Sequence, residues 1–280
     1  MKFSILIANY NNGKFFKNCF DSIVSQTYQN WEAVILDDAS TDNSVDVIRE
    51  IIKDDSRFRL HFNTENSGVG VTKSKLIDLS KGEICGFADP DDAIAPNALK
   101  SAADIYLKEK NTVLTYSKFA KCDENMKVLS VPKLAMQVPN GDDYFFNCPV
   151  HIVHFVTFKK EIYKKTSKIN TSLKIAEDQD LYLKMYEKGD VRFIDEVLYF
   201  YRTHSGGISQ NSNLPKSRAY FAEVILAAMK RRNLTHINGK KIPAETSSPQ
   251  EIFDLLNYQT EIPFRLKKKL KVLSQKLLRK

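Results

Sequence analysis

The chain has 280 residues, 42% hydrophobic and 27% charged, a composition that suits one large α/β domain with an appendage or two modest domains. No apolar run approaches the ~18 residues that a membrane-spanning helix needs, and the opening MKFSILIANYNNG is apolar too briefly for a secretory signal and reads as a first strand. The formal charge of +8 is local: residues 264–280 carry eight Lys or Arg and no acid, and the remainder balances at 34 basic against 34 acidic residues, so the body offers no nucleic-acid-binding surface.

The first ninety or so residues alternate between two periodicities. FSILIANY (3–10) is a short apolar run of strand type, and KFFKNCFDSIVSQ places Phe16, Phe20, Ile23 and Val24 at helical spacing. WEAVILDD (31–38) is a second strand ending on acids. STDNSVDVIREIIKDD follows, with a Ser/Thr/Asp cluster in which Ser40 or Asp42 caps a helix striped by Val47, Ile48, Ile51 and Ile52. FRLHFN (58–63) is a third strand, SGVGVTKSKLIDLSKG a third helix closed by Gly82, and EICGFAD a fourth strand. Such alternation predicts βαβ units on a mostly parallel sheet flanked by helices, with ligands at the carboxyl ends of the strands.

Residues 97–110 continue as a helix, and 112–131 as a strand or hairpin turning at Asp123 to Asn125. The Pro/Gly/Asn-rich stretch 132–150 is loop. HIVHFVTFKKEIYKK resumes strand then helix, IAEDQDLYLKMYEKG (175–189) is helical, and VRFIDEVLYFYRTH is strand-rich. After the Gly/Ser/Asn stretch SGGISQNSN, which has the composition of a lid, the pattern is purely helical. In SSPQEIFDLLNYQ, Ser248 is the expected cap, Pro249 opens the first turn and Glu251 completes a capping box. Four cysteines (Cys19, Cys85, Cys122, Cys148) lack the spacing of a zinc site or a disulfide framework, which fits a reducing cytosol.

Three polar clusters end strands one, two and four: Asn9-Tyr10-Asn11, Asp37-Asp38, and Asp89 to Asp92. Asp89, Asp91 and Asp92 repel one another, so something must offset that repulsion. An Asp-x-Asp at a sheet mouth offers hard oxygen ligands for Mg²⁺ or Mn²⁺ shared with substrate phosphates. The rival reading has these acids capping a helix that starts near Pro96. Asp37 or Asp38 can accept hydrogen bonds from a base imide or a ribose. Tyr10 either stacks on that base or simply packs.

With these motifs in order, residues 3–205 resemble the family-2 glycosyltransferases of the GT-A fold. The resemblance implies inverting transfer of a sugar from a nucleotide diphosphate sugar, usually a UDP-sugar, with a divalent metal, Mn²⁺ or Mg²⁺. It places the nucleotide against Ala8, Asn9, Tyr10, Asp38, Lys73 and Asp89, with Asp37 beside Asp38, and it places the metal on Asp91. The family's general base lies in a Glu-Asp pair at a helix start, here Glu177-Asp178, with Asp178 as the base. A plain acidic turn favouring the helix dipole is the alternative. In similar transferases a His in a Tyr-Arg-x-His segment ligates the metal or meets a phosphate, which makes His204 a metal candidate beside a purely structural role. Relatives often have Pro at Ala8, Gly at Ala39 and Ala-Arg-Asn where this chain has Thr72-Lys73-Ser74. The first two departures read as harmless, whereas Lys73 keeps the charge but lacks the bidentate fork.

The expected organisation is a transferase domain, 1–210, with a nucleotide-binding half (1–95) and an acceptor-side half (96–210), followed by a helical extension (211–280). The acceptor is a glycan or lipid-linked glycan in surface polysaccharide synthesis, and nucleic acid is not a partner. The basic tail carries Leu266, Leu270, Leu273 and Leu277 on one stripe. It lies on an anionic membrane surface, or docks on the body with its lysines outward. Two other functions fit more poorly. One is a phosphatase with an Asp nucleophile, which would follow the first strand of its core. The other is a non-catalytic sugar-nucleotide-binding protein. A dinucleotide oxidoreductase lacks its GxGxxG after strand one.

Overall fold

The structure is a computed structural model that describes residues 1–204 and 214–277. The expected lid, 205–213, and the boundary between 210 and 211 lie outside the described residues. In chain order the elements begin with β1 (Phe3–Asn9), α1 (Phe16–Val24), β2 (Trp31–Asp37), α2 (Ser44–Ile52), β3 (Phe58–Phe62), α3 (Val69–Leu79) and β4 (Ile84–Phe87). Next come β5 (Ala93–Ile94), α4 (Ala98–Lys108), β6 (Thr112–Cys122), β7 (Val128–Ser130), β8 (Thr157–Lys159), α5 (Lys160–Tyr163), α6 (Glu177–Tyr186) and β9 (Asp190–Arg202). The rest is α7 (Leu214–Arg231), a short hairpin of β10 (His236–Ile237) and β11 (Lys240–Lys241), α8 (Pro249–Leu256) and α9 (Ile262–Leu277).

One mixed sheet runs β3-β2-β1-β4-β8-β6-β9-β5, with β7 hairpinned onto β6. The first four strands in that order pair in parallel, as the βαβ alternation requires. β8 is antiparallel to both β4 and β6, and β9 returns parallel to β6 along most of its length. Alternate residues of β1 serve opposite faces. Ile5 and Ile7 pack with Phe16, Cys19, Ile48 and Leu99 of α1, α2 and α4. Leu6 packs on the other side in a core shared by α3, α6, α7 and α8. The parallel register aligns Asn9 with Asp37, so the first two polar loops leave the sheet side by side.

Three local expectations need correction. The region after 213 is not purely helical, because Asn238 and Gly239, both at positive φ, turn the β10–β11 hairpin. Ser248 is the α8 cap residue, but its side chain makes no cap hydrogen bond. Glu251 reaches one residue further back and accepts from the Ser247 backbone N (3.1 Å) and Oγ (3.2 Å). Finally, α9 docks on the body through Lys268, Lys271 and Gln275 together with the part-buried Phe264 and Val272, Phe264 packing on Tyr258 (5.0 Å). Lys271 pairs with Asp142 (3.4 Å), and the Gln275 side chain exchanges two hydrogen bonds with the Asn140 backbone (2.9 and 3.0 Å). The carbonyls of Asn140 and Gly141 and the Asp142 carboxylate attract amide and ammonium donors rather than leucines, and the leucines face outward.

Candidate active site

The first two loops are built as one latch. Asn9 Nδ2 donates to Asp37 Oδ2 (2.7 Å), and Asp37 also accepts from the Ser40 N (2.8 Å) and Oγ (2.6 Å). The Asn11 backbone N donates to Ser40 Oγ (2.9 Å), and Asn11 Oδ1 accepts from Thr41 N (2.8 Å). Asn9 is only 1% exposed, and the partly buried Ala8 precedes it at the end of β1. Ser40 therefore organises the loop rather than capping α2. Asp42 comes closer to that task, accepting from Ser44 N (2.9 Å) at the start of the helix. Ala39 is not a neutral replacement for Gly: its φ of +59° lies in the left-handed region, which is strained for any residue with a Cβ.

Asp38, also buried, accepts from Asn63 Nδ2 (2.7 Å), Ser67 N (2.9 Å) and Gly68 N (2.8 Å). It thereby ties the second loop to the entry of α3. A carboxylate has about four lone-pair sites, so one remains for a ligand. Tyr10 is 43% exposed, which excludes core packing as its role.

The acidic loop after β4 does not cap α4. The Leu99 N of that helix meets Gln26 Oε1 (3.0 Å), a residue of the α1–β2 connection. The loop is instead clamped by Arg202, 3% exposed at the end of β9. Its Nε donates to the Asp91 carbonyl (2.6 Å), its backbone N to Asp92 Oδ1 (2.8 Å), and its guanidinium reaches Asn18 Oδ1 (2.9 Å) and the Glu124 carbonyl. The same guanidinium and the His204 ring lie against Phe15, each 4.7 Å away. Burial, then the Asp89 and Asp91 charges, push the Asp92 carboxyl well above its usual range; its Oδ2 makes no hydrogen bond of good geometry beside the Tyr199 hydroxyl. The Asp89 backbone N is held by that hydroxyl (3.1 Å).

Asp91 Oδ2 and His204 Nε2 are 2.8 Å apart. Burial and the Asp89 charge raise the Asp91 carboxyl, against the pull of His204. Among the described residues no three His, Cys, Asp or Glu side chains converge on one point. A carboxylate oxygen and an imidazole nitrogen are nevertheless a donor set that suits Mn²⁺, which completes its shell with phosphate oxygens and water. The desolvated acids of this loop also favour a nearby cation. The residues present fit such an ion.

α6 brings the second group of acids. Glu177 Oε1 accepts from Lys73 Nζ of α3 at 2.7 Å, with the two side chains 8% and 13% exposed. Burial alone would lower the Lys73 pKa, but Glu177, Asp89 and Asp178 together hold its ammonium above the ordinary value. Burial in turn raises the Glu177 carboxyl. Asp178 is half-buried and accepts from Gln179 N (2.8 Å), and the Asn147 amide donates to Gln179 Oε1 (2.7 Å). The His154 ring, stacked on Tyr199 at 4.8 Å, is kept neutral by burial despite the Asp89 and Asp178 charges.

Asp89, Lys73, Glu177 and Asp178 therefore share one electrostatic environment, although they come from three distant stretches. Asp91 of the same acidic loop forms a second pair with His204, which follows β9. Asn9 and Asp38 are both bonded to neighbouring loops, Asn9 to Asp37 and Ser40, and Asp38 to Asn63, Ser67 and Gly68. Sequence reasoning missed Arg202, His154 and Tyr199. Arg202 lies in the Tyr-Arg-x-His segment that drew attention to His204, whereas nothing local marks the other two.

Comparison with known proteins gives a consistent picture. The family model described as Glycosyl transferase family 2 matches residues 4–167. Glycosyltransferase GlyG of Streptococcus pneumoniae is 28% identical over 217 residues, 73% of this chain and 72% of that protein. Hyaluronan synthase of Pasteurella multocida is 24% identical over 260 residues, and there the chain spans only 26% of the relative's length. Among solved structures, S. aureus TarS 1–349 in complex with UDP-GlcNAc superposes with a TM-score of 0.70 at 18% identity, covering 92% of this chain and 72% of that one. A Pyrobaculum calidifontis mannosyltransferase in complex with GDP-Man and Mn²⁺ gives a TM-score of 0.58 at 15% identity, covering 97% and 84%. These two likenesses concern the fold.

Proposed function

The chain belongs to glycosyl transferase family 2 and is a glycosyltransferase, and on that premise we propose that it moves a hexosyl or N-acetylhexosaminyl group from a UDP-sugar to a hydroxyl of a glycan or lipid-linked glycan, with inversion, in surface polysaccharide synthesis. The observation that carries this reading is the buried Lys73–Glu177 ion pair (2.7 Å), which fixes the start of α6, with Asp178, against α3, where the Asp89 and Asp178 charges also act on Lys73. TarS in complex with UDP-GlcNAc supports the choice of nucleotide. The four unpaired cysteines are in keeping with a cytoplasmic setting.

Each residue then has a task. Ala8, Asn9, Tyr10 and Asp38 line the base and ribose side, with the exposed Tyr10 ring available for stacking. Asp89 lies toward the ribose, and Lys73 presents positive charge toward the donor. Asp91 and His204 would hold a divalent cation, Mn²⁺ or Mg²⁺, which when bound stabilises the negative charge on the departing diphosphate. Asp178 accepts the proton of the acceptor hydroxyl as its oxygen bonds to the anomeric carbon and the bond from that carbon to the diphosphate breaks. The Gln179 bonds leave lone pairs of this carboxylate available, and Asn147 fixes Gln179 in turn.

A thermal-shift titration with UDP, dTDP, GDP and CMP, each with and without Mn²⁺, tests the nucleotide side, because a ligand of the folded state alone raises its stability. UDP selectivity that depends on Mn²⁺ is expected, and no shift with any nucleotide would overturn the reading. Asp178→Asn should keep that shift and lose transfer by roughly 10²–10⁴-fold. Near-normal turnover in this variant would remove Asp178 as the base.

A further inference from the structure

The structure turns the amphipathic helix α9 in an unusual sense. Ile262, Leu266, Leu270, Leu273 and Leu277 are 55 to 72% exposed. At 3.6 residues per turn these five positions fall within an arc of roughly 80°. The opposite face holds Lys268, Lys271 and Gln275, which lie against the 140–145 segment: Lys268 over the Phe145 ring at 5.5 Å, and the other two on Asn140 and Asp142. The orientation is therefore fixed by the body, and the helix cannot roll its leucines inward without breaking these bonds.

We propose that this ridge seats in the headgroup region of an anionic lipid bilayer. The charge pattern selects that partner. Exposed Lys267 borders one side of the ridge, exposed Arg265, Lys269 and Lys276 border the other, and residues 262–277 contain no acid. Exposed leucines flanked on both sides by cations match an acyl boundary beneath anionic headgroups. A second copy of the chain is a poorer occupant, since pairing two such ridges brings like charges together along their length. The loop that carries α9 leads on to Asn147, which contacts Gln179 beside Asp178. A helix lying on the bilayer would thus hold that flank of the site near lipid. The inference is independent of which sugar the site transfers.

The test is co-sedimentation of the full chain with vesicles of phosphatidylcholine alone and of phosphatidylcholine mixed with phosphatidylserine, at low and high salt. Binding is expected only with phosphatidylserine and should weaken as salt rises. Lys267→Glu/Lys269→Glu and Leu270→Glu/Leu273→Glu should each reduce partitioning at least about tenfold. Leu107→Glu, at a 68% exposed position of α4, should leave it unchanged. An unchanged melting temperature and nucleotide response in Leu270→Glu/Leu273→Glu would show that the loss is local. Equal binding to both vesicle types, or retained binding in that variant, would overturn the proposal. So would failure to bind together with a sedimentation-velocity dimer that the variant splits, which would assign the ridge to a second copy.

Discussion

Lys73→Met isolates the ion pair that joins α3 to α6. At 2.7 Å and an effective dielectric of about 20, the attraction between Lys73 and Glu177 is about 6 kcal/mol. Most of that offsets the desolvation of two side chains only 13% and 8% exposed, so its net worth is small. Removing one partner is different, because Glu177 is left buried and charged; such changes cost about 3–5 kcal/mol. The lower figure applies here, since Glu177 is already raised and escapes by taking up a proton. A loss of about 3 kcal/mol in a chain of this size lowers the melting temperature by roughly 6 °C.

The pH dependence has a definite sign. A carboxyl raised in the folded state destabilises most above its folded pKa and not at all below its ordinary value of 4.5. The deficit of Lys73→Met should therefore shrink as pH falls. Lys73→Met/Glu177→Met, which replaces the pair by apolar chains of similar volume, should return to within about 1 kcal/mol of the parent. Urea titrations at several pH values measure all three proteins. If Lys73→Met unfolded within about 0.5 kcal/mol of the parent at neutral pH, or the double variant were worse than the single, the pair would not be the buried contact described.

Two further outcomes concern stability away from this pair. Glu32, 4% exposed, resists the upward push of burial through the Ser4 hydroxyl, the Lys81 N, Arg59 and Lys2, and its carboxyl lies below its ordinary 4.5. Its contribution, about 2 kcal/mol against Glu32→Gln, should be complete above pH 4.5 and disappear as pH falls through the depressed value; a gap between the two proteins that stayed constant down to pH 3 (roughly one unit below the free carboxylate) would refute this. Ala39→Gly should raise stability by roughly 0.5–1 kcal/mol, because φ of +59° suits glycine; a falling urea midpoint would show that the left-handed strain is relieved elsewhere.

The parts of the fold that sequence reveals are those written in short periods. The apolar strands and striped helices of residues 3–89 predict the parallel βαβ half, and their polar ends mark the loops that the fold brings to one edge of the sheet. The contacts that complete the site are long-range and leave no periodic trace. Lys73 meets Glu177 across 104 positions, and Arg202 meets Asp92 across 110. His154 and Tyr199 become neighbours only because a loop residue is carried onto the face of β9. The tail shows the same limit differently. Its leucine stripe is plain in the sequence, but which face docks depends on the carbonyls of Asn140 and Gly141, which no pattern within the helix encodes. The β10–β11 hairpin was the more legible omission, since Asn238-Gly239 is a strong turn signal.

The clamp of Arg202 on the acidic loop also has a temporal side. A ribosome adding ~5–20 residues per second takes roughly 5–20 s to pass from Asp92 to Arg202. During that interval β1, β2, β3 and β4 are already available to associate, whereas Asp89, Asp91 and Asp92 have neither the arginine nor His204 beside them. The nascent protein therefore carries an unneutralised acidic loop on a half-sheet whose second face still awaits α6, α7 and α8. The clamp on this loop arrives late in synthesis, with the pairing of β9 along β6, so a chain halted just before that strand carries all of the span matched by the family model but lacks the means to hold the loop in shape.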